Sequence, residues 1–527
     1  MLSRFKNLEK IFKSAFLFSP LLKYSFWLYA IDMFSRVYSA QTNALQGHII
    51  TIEVDISKSF LHAFSIVGLP DKAVEEARDR VSSAIKNSGF ENPKSSQYKI
   101  VVSLSPASIK KEGSSYDLAI ALGYLLSTEE IQFDPEGKIF IGELGLNGDV
   151  RSVHGVLPLV EMAKQQGIEE VFVPYENREE AALISDITIY PVKNLKEVIE
   201  HLTLQDKKLS SQEKTLWDYS NPQSVIDFAD VVGQQQVKRG LLIAASGGHN
   251  IAMYGPPGTG KTMLAKAFTG ILPPLSEKEA LEVTSIHSIA GILNHTIITH
   301  PPFRAPHNTS SYVSVIGGGT FPKPGEVTLA HKGVLFLDEF PEFDRRVLES
   351  LRQPLEDRKV NISRIKGSVT FPTHFILVAA MNPPPHNATA ADIVRYERKI
   401  SGPIMDRIDM WVHVDHIPYE NLSKKDENQE TTQVLREKVL QTRKAQHKRF
   451  GKEKLNSEMS AKEIGEYIIL SEEVEKLLNE TASRLSLSPR SYHRVMKLAR
   501  TIADIEGSEH IERNHILEAL QYRPKQK

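Results

Sequence analysis

Gly255-Pro-Pro-Gly-Thr-Gly-Lys-Thr262 decides how this 527-residue chain is read. The stretch is G-x-x-x-x-G-K-[ST], a glycine-rich loop of the kind that cradles the phosphates of a nucleoside triphosphate. Glycines at these places let the backbone bend until successive N–H groups face the β- and γ-phosphate oxygens. Lys261 adds a point charge, Thr262 offers a hydroxyl to Mg²⁺, and the following helix turns its positive N-terminal end to the anion. The flanks agree. Apolar Ile251-Ala-Met-Tyr254 reads as a strand running into the loop, and Met263-Leu-Ala-Lys-Ala-Phe268 as a helix leaving it. Gly255, Pro256, Pro257, Gly258, Thr259, Gly260, Lys261 and Thr262 are the expected nucleotide cradle.

Further along, Gly333-Val-Leu-Phe-Leu-Asp-Glu339 is an apolar run that ends in two acids. Such a run reads as a buried parallel strand that delivers Asp338 and Glu339 to the carboxyl edge of a sheet, where ligands of open α/β sheets bind. Asp338, with Thr262, suits Mg²⁺, a hard cation that takes oxygen ligands. Glu339 is placed to orient and polarise an attacking water. The next strand, Phe375-Ile-Leu-Val-Ala-Ala-Met-Asn382, ends on a neutral polar group; an asparagine there is also a common turn former ahead of Pro383-Pro-Pro385. Ile400-Ser-Gly-Pro-Ile-Met-Asp-Arg-Ile-Asp409 then supplies Arg407, a cation able to stabilise charge on a transferring phosphoryl group. Arg395 and Arg398 are its rivals, and a surface ion pair is the plain alternative.

This order of loop, acid strand, asparagine strand and arginine resembles the AAA+ ATPases. The resemblance implies ATP as the nucleotide, Asn382 as the sensor of γ-phosphate and water, and Arg407 as a finger acting on the next protomer, hence a ring. Phe228-Ala-Asp-Val-Val-Gly-Gln234 resembles the segment that packs near the adenine. In Ser486-Leu-Ser-Pro-Arg-Ser-Tyr-His-Arg494, Arg490 resembles the sensor-2 arginine that folds over the nucleotide, and Arg494, one turn on, competes for that role. Two insertions narrow the group. One runs from Ser288 through Phe303-Arg-Ala-Pro-His307 and Gly317-Gly-Gly319 to Pro324-Gly-Glu326 and is long for a crossover. The other, Val360 to Phe371, alternates around a Lys-Gly turn and reads as a β-hairpin. Together they resemble the helix-2 insertion and pre-sensor hairpin of the magnesium-chelatase motor and minichromosome-maintenance helicase group, whose loops line a central pore.

Ahead of the motor, Gly47 to Leu202 reads as an α/β domain, with alternating Ile49 to Ile56 as a strand and Asp71 capping a helix to Asn87. Lys111-Glu-Gly-Ser-Ser115 and Gly142-Glu-Leu-Gly-Leu-Asn-Gly-Asp-Val150 resemble the proteolytic domain of Lon proteases, where the serine matching Ser115 is the nucleophile. Its lysine partner would fall at Leu157, and a serine without an activating base is a weak nucleophile. A Lon-like domain without peptidase activity is therefore expected. The chain divides into an extension over 1–32 with Met33 as the expected natural start, the Lon-like domain over 33–202, a polar linker over 203–224, the AAA+ core over 225–416, a charged connecting segment over 417–458 and a helical lid over 459–527. Pro20 and Lys23 interrupt the apolar run in the extension, so no membrane span is expected.

Net charge is −1 and no residue is cysteine, which excludes an overall basic field, disulfides and thiol catalysis and suits a reducing cytoplasm. A Lon-like front joined to a chelatase-like motor, with Phe303-Arg-Ala-Pro-His307 and Ser401-Gly-Pro, is similar to the ComM/YifB family over 33–522. The similarity implies a hexameric, ATP-driven DNA branch-migration motor or helicase of natural transformation and recombination. Two places depart from the family pattern: no cysteine cluster follows Asn382, and Asn308 stands where a second histidine is usual. Candidate DNA contacts are Arg364 and Lys366 at the hairpin tip and Arg304 and Lys323 on the other insertion, each of which is as a lone basic residue more often solvated surface. Phosphate contacts would make binding fall steeply with salt, and the lack of an aromatic ladder predicts no sequence-specific readout. The alternatives are a chelatase-type motor that remodels a partner protein and an ATP-dependent Lon-like protease.

Overall fold

The structure is a computed structural model that describes residues 33–95, 97–219, 226–319, 322–364, 367–384, 396, 399–417 and 430–524, without the side chains of Ser363 and Arg364. The extension over 1–32 lies outside the described residues. Two compact units divide the chain after Thr215.

In the first unit, β1 (Met33–Asn43) and β2 (Gln46–Lys58) form a long hairpin, and β3 (Ala63–Val67) and β4 (Tyr98–Ser105) complete a sheet of order β1-β2-β4-β3. Along β2, Ile50, Ile52, Val54 and Ile56 are buried while the residues between them are not, the period-two pattern of a half-buried strand. Helix Asp117–Ser127 is apolar nearly all round and is buried against β1 and β2. Helix Lys72–Asn87 is capped by Asp71, whose carboxylate accepts the Val74 N–H at 2.9 Å. A second, parallel sheet of β5 (Lys138–Phe140), β8 (Glu170–Pro174) and β9 (Thr188–Val192) lies beyond, with the pair β6 (Glu143–Leu144) and β7 (Val150–Arg151).

Asp117, buried at the start of its helix, receives a bidentate Arg80 at 2.7 and 3.1 Å and the Leu144 N–H at 3.2 Å. Burial pushes the Asp117 carboxyl up to about 6, although Arg80 pulls it down. Proton uptake by Asp117 thus favours the folded chain below about pH 4, and that gain is lost as the pH rises through about 6. Arg80→Met is expected to destabilise the first unit by about 3 kcal/mol at pH 7, because it strands a buried carboxylate. The loss should shrink toward pH 5, where the protonated acid needs no counter-charge; denaturant titrations at the two pH values check it.

The second unit is built on β10 (Ile251–Tyr254), β11 (Phe303–Arg304), β14 (Val334–Leu337), β17 (Ile376–Met381) and β18 (Met410–His413), all parallel in the order β11-β14-β17-β10-β18. β12 (Gly317–Gly318) pairs with β13 (Lys323–Pro324) in the long insertion. β15 (Lys359–Arg364) and β16 (Gly367–Pro372) form an antiparallel hairpin ahead of β17. One hydrophobic core runs from β10, β14 and β17 through helix Gln235–Gly247 into the C-terminal helices Glu472–Arg484, Pro489–Ile505 and Arg513–Gln521.

Of two stretches that composition marks as connectors, 203–224 holds the boundary between the two units and has no buried residue among its described ones, while 417–458 contains a packed helix. Within 203–224, the Gln212 and Thr215 N–H groups bond Ile189 and Ala182 carbonyls of the first unit at 2.8 and 3.0 Å. Trp217 packs with Leu275, Ala280, Val283 and Ile298 of the second. Within 417–458, helix Thr432–Phe450 buries Leu435, Val439, Gln446 and Phe450, and Arg443 donates to the Ala245 carbonyl. Its charges hide an apolar stripe because long basic stems lie along the core and carry their heads to backbone oxygens or water. Residues 418–429 lie outside the described ones. Among the described residues no helix is long and apolar enough to cross a membrane.

Candidate nucleotide site

Strand register builds one half of the site. Tyr254 pairs with Met381 and Leu337 with Ala379, so β10, β14 and β17 end side by side. The residues that leave them are Gly255, Asp338 and Asn382, and the ladder is prolonged by the Gly255 N–H to the Met381 carbonyl at 3.1 Å. Glycine is required at three loop positions for two reasons. A Cβ on Gly255 would lie 2.1 Å from the Val414 carbonyl, and Gly258 and Gly260 have φ of +78° and +85°.

Lys261 opens helix Lys261–Ile271 and is buried, with Nζ donating to the Gly255 and Pro256 carbonyls at 2.8 and 2.7 Å. Burial holds its ammonium below the ordinary lysine range. A second anion at the loop would reverse that shift, since a nearby negative charge favours the protonated amine. Thr262 Oγ1 donates to Asp338 Oδ2 at 2.7 Å, which joins the hydroxyl and the carboxylate expected to face Mg²⁺. This oxygen-only donor pair fits that ion. No group of three His, Cys, Asp or Glu that could hold a metal occurs among the described residues. A cation here would therefore take its remaining ligands from phosphate and water, as Mg²⁺ commonly does.

Glu339 sits in the left-handed region, φ +49° and ψ +44°, a rare conformation for a residue with a side chain. Its carboxylate accepts the Asn308 amide at 2.8 Å. Asn308, read from sequence only as a departure from a histidine, is thus the partner that fixes the candidate base. Asn382 is half-buried, and its carbonyl accepts the Tyr396 hydroxyl.

The arginines lie at the other edge of the sheet. The Arg407 carbonyl accepts Asn250 Nδ2 at 3.1 Å, and Asn250, the residue before β10, also accepts the Leu377 N–H of β17 at 2.9 Å. One buried amide so ties the amino ends of two strands to the turn that bears Arg407. A four-residue strand separates Asn250 from Gly255, roughly 13 Å of backbone. Arg407 Nη2 reaches Glu356, and Arg490 Nη1 lies 3.6 Å from the other oxygen of the same carboxylate. Arg494 is buried, bonds the Asp406 carbonyl and lies 3.7 Å from Asp409. Arg494 is therefore a tie between helix Pro489–Ile505 and the turn, while Arg490 is half-exposed and available. The expected position of Arg490 over its own phosphate loop is not the one found. Its helix packs on Gln235–Gly247 with its N-terminus at the amino edge of the sheet, beside Arg407. Arg395 and Arg398 lie outside the described residues.

Two of the four DNA-contact candidates have described side chains. Arg304 is committed to Glu326 by two bonds of 2.6 and 2.8 Å, which removes it as a free phosphate contact. Lys323 is exposed. The side chain of Arg364, and Lys366 altogether, lie outside the described residues. In the first unit, the Ser115 carbonyl takes the Gly142 N–H, Leu157 is fully buried, and the buried Lys111 donates to the Pro106 carbonyl.

Family models for magnesium chelatase match in three places: subunit ChlI of Mg-chelatase over 52–177, magnesium chelatase subunit ChlI over 227–422 and its C-terminal part over 429–523. The chain is 42% identical to the competence protein ComM of Haemophilus influenzae over 500 residues, covering 92% of this chain and 97% of that protein. It is 41% identical to the uncharacterized protein YifB of Salmonella typhimurium over 486 residues, 90% of this chain and 94% of that one. A shorter stretch of 110 residues, 21% of this chain and 20% of the relative, is 34% identical to Lon protease 2 of Bacillus subtilis. With a phosphate loop, acid strand and asparagine strand meeting at one edge of a parallel sheet, the chain belongs to the ComM/YifB family of magnesium-chelatase-like AAA+ proteins.

Proposed function

We propose that this protein is an ATP-hydrolysing ring motor, a hexamer, that acts on DNA in branch migration or helicase steps of transformation and recombination. One observation carries the ring: the groups fit for phosphate chemistry are split between two edges of one sheet. Lys261, Thr262, Asp338, Glu339 and Asn382 stand at the carboxyl edge, and Arg407 and Arg490 at the amino edge. A second protomer that presents its amino edge to the first would complete the site. Loop N–H groups and Lys261 bind the triphosphate, and Thr262 and Asp338 would hold Mg²⁺, which would supply neutralisation of developing phosphate charge. Glu339 takes a proton from the attacking water, Asn382 fixes that water, and the neighbour's arginines offset charge on the transferred group.

The DNA part draws on the relative named a competence protein, on the hairpin β15–β16 and on exposed Lys323. A second reading, a motor that remodels a partner protein, draws on the three chelatase models. Buried Leu157 and the engaged Lys111 argue against a protease. ATP turnover with and without a four-way DNA junction separates the readings. Junction DNA is expected to raise turnover several-fold, and the gain should fade with added salt as phosphate contacts weaken. Unchanged turnover would favour the partner-protein motor.

A further inference from the structure

Among the described residues Glu356 is the carboxylate that faces both Arg407 and Arg490, and it stands in the last turn of the helix Arg352–Asp357 just before the hairpin. Each of its oxygens meets a different guanidinium. These groups line a cavity of about 560 Å³ with Arg358, Arg494 and Lys497. Of the other acids on its wall, Asp409 accepts the Asn250 N–H at 3.0 Å, Glu458 pairs with His374 at 3.0 Å, and Asp406 acts on Arg494. Glu356 has only the two arginines among the partners found for it, and the Arg407 guanidinium holds its carboxyl below the ordinary glutamate range. Arg407 Nε is buried and has no partner, so the finger's hydrogen-bonding capacity is not used up by this pairing. Two like charges converge here and repel unless an anion stands between them. In the single chain that anion is Glu356.

We propose that Glu356 is a stand-in for phosphate: it parks Arg407 and Arg490 in the free protomer and gives them up to the neighbour's γ-phosphate when the ring forms. A carboxylate and a phosphate both present anionic oxygens that accept from guanidinium N–H groups, so one can replace the other without rebuilding the arginines. Glu356 and Arg490 are both half-exposed while Arg407 is largely covered, and a carboxylate screened by water on its open side is weak enough a partner for a triphosphate to displace. The contact is an equilibrium bias toward the free chain, set by the difference between its two arginine contacts and those to phosphate.

The test is Glu356→Gln in the full chain, which keeps shape and removes charge. ATP turnover per protomer is measured over a protein concentration series with Mg²⁺ and saturating ATP. The concentration for half-maximal turnover should fall roughly threefold to tenfold, the scale set by two ion pairs that share one half-exposed carboxylate, with the plateau unchanged. Glu356→Asp, which keeps the charge on a shorter stem, should lie between. An unmoved or higher midpoint overturns the proposal, and so does a lost plateau, which would make Glu356 a group that positions the finger. The proposal rests on the shared-site reading. That reading is tested separately by mixing Lys261→Ala and Arg407→Ala chains: recovery of turnover there, with no midpoint shift in Glu356→Gln, overturns the parking role alone.

Discussion

Glu339→Gln is expected to bind ATP as the unaltered chain does and to lose turnover by about 10²–10⁴-fold, the range for removal of a positioned general base. That is about 3–5 kcal/mol of transition-state stabilisation. The amide keeps the size of the side chain, so the loop and Lys261 stay intact and nucleotide affinity should hold. It cannot take a proton from water, and it meets the Asn308 amide as one amide meets another rather than as a carboxylate. Lys261→Ala should behave in the opposite sense, with weak binding first, because its charge contacts phosphate in ground and transition states alike. Equilibrium binding of a fluorescent ATP analogue beside steady-state hydrolysis separates the two. Equal turnover in all three chains would remove Glu339 and Lys261 from the site.

Arg407→Ala should lower turnover by about 10³–10⁵-fold, the range found for arginine fingers. Because Arg407 lies at the far edge from its own loop, the loss should be repairable in trans. Lys261→Ala chains cannot use their own loop but still present Arg407; Arg407→Ala chains have a sound loop and no finger. Each alone should be nearly inactive, and mixing them should restore turnover at those interfaces where a sound loop meets a sound finger. Failure to restore, with both variants still assembling, would place the finger's action within one chain.

The phosphate loop and the acid strand were legible because their chemistry needs fixed residue types at fixed spacing, and because buried parallel strands read as apolar runs. The family was legible for the same reason: several such stretches occur in one order. The register that brings Asn382 beside Gly255 follows from strand order, which no single stretch encodes. Asn250 carries no signal at all, since an asparagine before a strand reads as a turn, yet it bonds Arg407, Leu377 and, through its N–H, Asp409. The choice between Arg490 and Arg494 turned on burial: at one helical turn apart on the same cavity wall, Arg494 is buried and Arg490 is half-exposed. Glu356 reads as an ordinary helix-end charge until the fold brings it to two arginines far along the chain. Polar composition over 417–458 hid a packed helix, because its anchors are a few spaced apolar residues and basic side chains that reach backbone oxygens.

A shared nucleotide site is expected to drive movement on DNA. The most direct test is a labelled four-way junction with one mobile arm, incubated with the full chain and Mg²⁺. With ATP the junction should be converted to its branch-migrated duplexes, while Glu339→Gln, or a non-hydrolysable ATP analogue, should leave it bound but unconverted. A junction left unprocessed by a chain that hydrolyses ATP at full rate would contradict the claim.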